Sequence, residues 1–251
     1  MRSAAYVLRG GPHLAQSLTY SLSNFGAGAL AGNLARIIPP SGSSGFHMGS
    51  TNYIGDLDGN GRGELLLSAA LNRSGASIGP SSGTTHATGG ASPSGWAFIV
   101  WDDNFPTAPW AAALTIDMQS PAGSVTTIRG GNNNDTFGEE LLGGSDYDGD
   151  GNQDLFVGDL TGDATGGNRP YSGSGYVFFN ARLLRGLNFN VDDAATLNLP
   201  LTTIIGPSAG AIGADTVADG DLDGDGFDDL IFGSPTDSPL GRNEAGTVQI
   251  F

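Results

Sequence analysis

Asp221-Leu222-Asp223-Gly224-Asp225-Gly226-Phe227-Asp228-Asp229 is an acidic, glycine-rich loop near the C-terminal end of the chain. Its pattern occurs twice more. The other copies are Asp56-Leu57-Asp58-Gly59-Asn60-Gly61-Arg62-Gly63-Glu64 and Asp146-Tyr147-Asp148-Gly149-Asp150-Gly151-Asn152-Gln153-Asp154. Each loop puts oxygen-bearing side chains at positions 1, 3, 5 and 9 and glycine at position 6. That arrangement suits a hard cation such as Ca²⁺, which takes six to eight oxygen ligands in a flexible shell. Glycine at position 6 (Gly61, Gly151, Gly226) permits a sharp turn, after which position 7 would offer its backbone carbonyl. A carbonyl ligand leaves the side chain free to vary, and position 7 is Arg62, Asn152 and Phe227.

The expected metal set is therefore Asp56, Asp58, Asn60, Arg62 and Glu64 in the first loop. In the second it is Asp146, Asp148, Asp150, Asn152 and Asp154. In the third it is Asp221, Asp223, Asp225, Phe227 and Asp229. The first loop has one carboxylate fewer than the others and is expected to bind most weakly. Mg²⁺ demands tighter octahedral geometry and keeps its waters. Zinc and copper prefer nitrogen and sulfur; the chain has no Cys, and His13, His47 and His86 lie outside the loops. An EF-hand would need a bidentate Glu at position 12 between two helices. Position 12 is Leu67, Val157 and Phe232, in short apolar runs bounded by glycine that read as strands.

Self-similarity extends around the loops, at spacings that signal a repeat architecture. Loop starts are 90 and 75 residues apart. Lead-ins precede the loops at Phe46 to Gly49, Phe137 to Glu140 and Ile212 to Asp215. Aromatic β segments follow at Trp96 to Trp101, Tyr176 to Phe179 and Thr247 to Phe251, and Ala4 to Leu8 is a further copy. Thr126-Thr127-Ile128 and Thr202-Thr203-Ile204 close two units, with Arg36-Ile37-Ile38 a weaker version. Each unit reads as four short strands, as a propeller blade does. The expectation is an all-β chain, one propeller-type domain over 1–251, with four-stranded antiparallel blades. Its units are 1–45 (partial), 46–130, 137–206 and 212–251 (partial). Thirteen strands, a little over three blades, are expected.

The pattern resembles the FG-GAP repeat of integrin α-subunit propellers and bacterial surface proteins. The matching residues are Phe137-Gly138, Asp146 to Asp154, Gly158 and Gly175 to Phe179, and in the third unit Ile212-Gly213, Asp221 to Asp229, Leu230 to Pro235 and Gly246 to Phe251. Departures are Glu64 at position 9, Ile212 for the usual Phe and His47 where the family has Gly. The resemblance implies structural calcium in three blades and an extracellular or cell-surface adhesion or scaffold role. Thirteen strands leave the blade count unfinished, so other copies of the chain or further blades are expected partners, with edge-to-edge assembly into a fibre. The alternative is a lectin-like propeller binding glycans, with Trp110 as the sugar-stacking candidate and Trp96 and Trp101 as core.

Composition agrees. The formal charge is −16, and eleven of the 26 acidic residues sit at proposed ligand positions. Three bound Ca²⁺ would remove six of those negative charges. All ten basic residues are Arg and form no basic patch, so nucleic acid is not an expected partner. No apolar run is long enough for a membrane span, and Met1-Arg2-Ser3 leads into a β segment rather than a signal peptide. No nucleophile–base set or phosphate loop is apparent, so no enzyme is expected. Asn72 and Asn134 fit the N-glycosylation pattern, and Ser81 to Ser94 is a polar loop that contains His86.

Overall fold

Short strands with apolar residues on both faces cannot bury themselves, so they must be stacked. A computed structural model describes residues 4–16, 21–28, 31–40, 46–71, 95–107, 110–131, 136–163 and 169–251. His86, Asn72, Asn134 and the Ser81 to Ser94 stretch lie outside the described residues. The chain opens with β1 (Ala5–Leu8) and β2 (Leu34–Ile38). Next come β3 (Phe46–Gly55), β4 (Glu64–Leu71), β5 (Trp96–Val100), β6 (Leu114–Asp117) and β7 (Val125–Arg129). The third group is β8 (Phe137–Ser145), β9 (Asp154–Asp159), β10 (Ser174–Phe178), β11 (Asn188–Asn190) and β12 (Leu201–Ile205). The last is β13 (Thr216–Gly220), β14 (Asp229–Ser234) and β15 (Thr247–Ile250). Among the described residues there is no α-helix, hence none long and apolar enough to cross a membrane.

The strands form blade-like sheets in chain order. β3-β4-β5-β7 and β8-β9-β10-β12 are four-stranded antiparallel meanders, β13-β14-β15 is three-stranded, and β1 pairs with β2. These are the thirteen strands expected. Two more lie outside that expectation. β6 pairs in parallel with β2, and β11 in parallel with β7. Both are the connection between a blade's third and fourth strands, laid along the fourth strand of the preceding blade. At three and four residues, with polar residues alternating, they carry little strand signal. A second difference concerns the third lead-in. Ile212 and Ala214 adopt left-handed backbone (φ 51° and 63°), and β13 begins only at Thr216.

Side chains alternate across each sheet with the strand period of two. From β4 and β5, Leu65, Leu67, Ala69, Phe98 and Val100 face the first sheet and meet Ile37, Ile116 and Met118. From the same strands, Leu66, Ala97 and Ile99 face the third sheet and meet Phe137, Leu155, Val157 and Phe178. Phe156 and Val177 face the fourth sheet and meet Ala214, Leu230 and Phe232. Each interior sheet is therefore buried on both sides. Close approach explains Gly175: a Cβ there would run into the rings of Phe156 and Phe232. Trp101 is fully buried, its indole N–H bonded to Thr126 Oγ1 at 2.9 Å, while Trp96 packs at the edge of the core.

Glu140 on β8 is partly buried beside Gly158 and Ala214. Burial first, then the charges of Glu139 and Asp215, raise its pKa from 4.5 to about 7. A raised acid pKa means that the folded chain holds a proton where the unfolded chain has lost it. This contribution is full below pH 4.5 and is lost as pH rises to about 7. Glu140→Gln should therefore gain on the parent across that window, by about 1–3 kcal/mol above pH ~7. Thermal unfolding from pH ~4 to ~8 checks this; equal curves for both proteins would contradict it.

Candidate metal centres

The three acidic loops sit at one place in the architecture, joining the first and second strands of successive blades: β3 to β4, β8 to β9 and β13 to β14. Their internal hydrogen bonds repeat position by position. The position 1 carboxylate accepts from the N–H of residues 5 and 6. In the first loop these bonds run from Asn60 at 3.0 Å and Gly61 at 2.7 Å to Asp56, in the second from Asp150 at 3.1 Å and Gly151 at 2.9 Å to Asp146, and in the third from Asp225 at 3.2 Å and Gly226 at 3.1 Å to Asp221. The position 3 residues Asp58, Asp148 and Asp223 accept from the N–H of position 5. Position 5, whether Asn60, Asp150 or Asp225, accepts from the N–H of Arg62, Asn152 or Phe227. Position 9 closes the loop by accepting from the N–H of position 2: Leu57 to Glu64 at 2.6 Å, Tyr147 to Asp154 at 2.9 Å, Leu222 to Asp229 at 2.8 Å.

Glycine is needed at two positions rather than one. Position 6 has φ of 84°, 82° and 94°, and position 4 (Gly59, Gly149, Gly224) has φ of 74°, 72° and 80°. Both lie in the left-handed region that other residues occupy at a cost.

Carboxylate oxygens of Asp56, Asp58 and Glu64 lie within 4.8 Å of one another, as do those of Asp146, Asp148 and Asp154. In the third loop the converging set is Asp221, Asp223 and Asp225, all exposed, with Asp229 outside it. These three groups could hold a metal ion, and the donors are all oxygen, which fits a hard cation. Glu64 is wholly buried, and its Oε1 has no hydrogen-bond partner. Burial, with Asp58, Asp102 and Asp56 nearby, raises Glu64 to about 6 against the Leu57 N–H. Asp154 also reaches about 6, through burial and then Asp148 and Asp146, opposed by the Asn180 and Tyr147 N–H groups.

Around the loops lie residues that spacing alone does not single out. Arg185, from the next blade, pairs with Asp58 at 2.6 Å and Asp103 at 3.0 Å while its guanidinium sits 5.0 Å above the Trp101 ring. The Arg62 side chain turns away from its loop to Asp102, at 3.1 Å. Trp110 tilts against Phe105 and donates its indole N–H to the Pro106 carbonyl at 3.1 Å. The second and third loops touch. Asp146 N–H donates to Asp228 Oδ2 at 3.1 Å, and Asp219 accepts from Ser145 at 2.7 Å and from the Tyr147 hydroxyl at 3.0 Å. Phe227 lies over Gly149, where a Cβ would strike its ring. Asp228 is adjacent to a loop position and so carries a local signal; Arg185 carries none.

The Phe227–Gly149 contact is testable by a double-mutant cycle. Gly151→Ala meets no neighbour and should cost about 1–2 kcal/mol from backbone alone. Gly149→Ala should cost more, and Phe227→Ala should recover the excess but not the backbone part. Additive effects in urea unfolding would show that the loops do not press on each other.

Residues 213–251 match the family model of the FG-GAP repeat. No curated protein matches the chain. The matched segment contains the third acidic loop with β13, β14 and β15. Over residues 213–251 the chain is thus similar to the FG-GAP repeat, and its β-rich fold is consistent with that family.

Proposed function

We propose that this chain is a calcium-stabilised, extracellular scaffold or adhesion module, with one Ca²⁺ in each of the three loops. The observation that carries the reading is the convergence of carboxylates at the same blade corner three times, on all-oxygen donors. In each loop the side chains at positions 1, 3, 5 and 9 would ligate, joined by the carbonyls of Arg62, Asn152 and Phe227. Bound calcium would neutralise like charges that otherwise repel and would tie the first two strands of each blade together. The role is structural: the ions rigidify blades, and no catalytic chemistry is asked of them. Arg185 already places a cation on Asp58. Together with the single missing carboxylate, that makes the first site the weakest.

Calorimetric titration combined with thermal unfolding tests the reading. Each site filled at a hundredfold excess over its Kd should add about 2.7 kcal/mol of stability. Asp148→Asn and Asp223→Asn should each remove a tight site, and Glu64→Gln the weak one. Unchanged stability on adding EDTA would refute calcium at these loops.

The adhesion reading includes contact between copies. The outermost sheets present apolar side chains away from the stack: Tyr6 and Leu8 at one end, 37% and 41% exposed, and Val248 and Ile250 at the other, 68% and 60% exposed. Joining one end to the other end of the next copy is a heterologous contact, and such contacts build rings or filaments. Light scattering should show a mass that rises with concentration and falls in Val248→Ser/Ile250→Ser. A monodisperse monomer in the parent would remove assembly from the proposal.

A further inference from the structure

The second and third loops are bonded to each other through residues at the heart of each. Asp146 holds position 1 of the second loop, and Asp228 stands between positions 7 and 9 of the third. The Asp146 N–H donates to Asp228 Oδ2 at 3.1 Å, and the Asp228 N–H donates to the Asp146 carbonyl at 3.3 Å. Asp219 Oδ2 accepts from the hydroxyls of Ser145 and Tyr147, the residues on either side of Asp146. The Phe227 ring lies over Gly149 at position 4. The main chain of Asp146 is thus held from the following blade. Its carboxylate in turn accepts the N–H groups of Asp150 and Gly151, so its place sets the turn of the second loop.

The first and second loops occupy the corresponding corners of the preceding pair of blades, but without these groups. Strand register identifies the counterparts. Ser145 is opposite Asp154 as Gly55 is opposite Glu64, and Asp219 is opposite Leu230 as Gly143 is opposite Leu155. The places of Ser145, Tyr147, Asp219 and Asp228 are therefore taken by Gly55, Leu57, Gly143 and Gln153. None of these four side chains can reproduce the bonds that the carboxylates of Asp219 and Asp228 accept. The outward ion pairs of the first loop run elsewhere, from Arg62 to Asp102 and from Asp58 to Arg185.

We propose that the second and third loops take up their cations cooperatively, as one two-ion unit, while the first loop binds independently. The proposal rests on the calcium reading of the loops. A metal-free loop must be ordered before its oxygens converge, and that ordering reduces the net gain on binding. With the third loop filled, Phe227 and Asp229 are fixed on either side of Asp228. Asp228 then holds the Asp146 main chain where its carboxylate serves the second loop. The second loop is thereby ordered in advance, and by linkage the effect is equal in the other direction. Repulsion between two cations opposes this, but it is weakened by solvent and salt at these exposed corners, whereas the bonded contact is direct.

Calcium titration followed by amide NMR tests this, with Gly61, Gly151 and Gly226 at position 6 as reporters of the three loops. In the parent, the Gly151 and Gly226 signals should respond together. Asp223→Asn, which disables the third site, should weaken binding at Gly151 about fivefold or more and leave Gly61 unchanged. Asp148→Asn should weaken binding at Gly226 by the same factor. Asp228→Ala removes the bridge without removing a proposed ligand; on that background Asp223→Asn should no longer affect Gly151. Hydrogen exchange in EDTA gives a reading without metal. There Asp228→Ala should speed exchange of the Asp150 and Gly151 amides and leave those of Asn60 and Gly61 as they are. Equal affinity at Gly151 in the parent and Asp223→Asn, a parallel change at Gly61, or unaltered exchange in Asp228→Ala would overturn the proposal and leave the calcium reading standing. Calcium taken up at none of the three loops would overturn both.

Discussion

One hydrogen bond closes each acidic loop and ties it to the interior of its blade. A carboxylate at the start of a blade's second strand accepts the N–H of the loop's second residue. Glu64 and Asp154 do so from full burial. Burying a carboxylate is costly unless something offsets its charge. The loop supplies N–H donors, and the second strand supplies the burial, because the strand that begins at that carboxylate is packed on both faces. The loop's shape and the blade's stacking are thus one constraint viewed from its two ends. The raised pKa of Glu64 and Asp154 results from that burial.

Stacking is the second half of the constraint. β4, β5, β9 and β10 send alternate side chains into different interfaces, so no blade owns a complete core. Cross-blade contacts add to this. β6 and β11 lie along the preceding blade, Arg185 reaches the preceding loop, and Asp219 with Asp228 holds the second loop from the following blade. In each case a later repeat completes an earlier one. Neighbour-to-neighbour completion of this kind is what makes repeat stacks cooperative.

The division between what is legible in the sequence and what is not tracks distance along the chain. Thirteen strands are legible because period-two patterning and glycine punctuation are local. β6 and β11 are not, since three or four alternating residues carry weak propensity and are held as strands by their partners. Ile212 to Asp215 mislead for the same reason: the resemblance to the other lead-ins is local, while the left-handed backbone at Ile212 and Ala214 answers to packing against the neighbouring blade. At the site, the turn at position 6 announces its glycine, whereas the need at position 4 shows only in the backbone, although both take positive φ.

Local sequence was enough to set the repeat, the all-β blades, the loop residues and their common place between first and second strands. These depend on spacing within roughly ten residues, where backbone geometry leaves few choices. The stacked fold settled which loops touch, where Arg185 lies and which fourth strands are covered. Those depend on contacts between residues far apart in the chain, whose geometry exists only once the sheets have packed together.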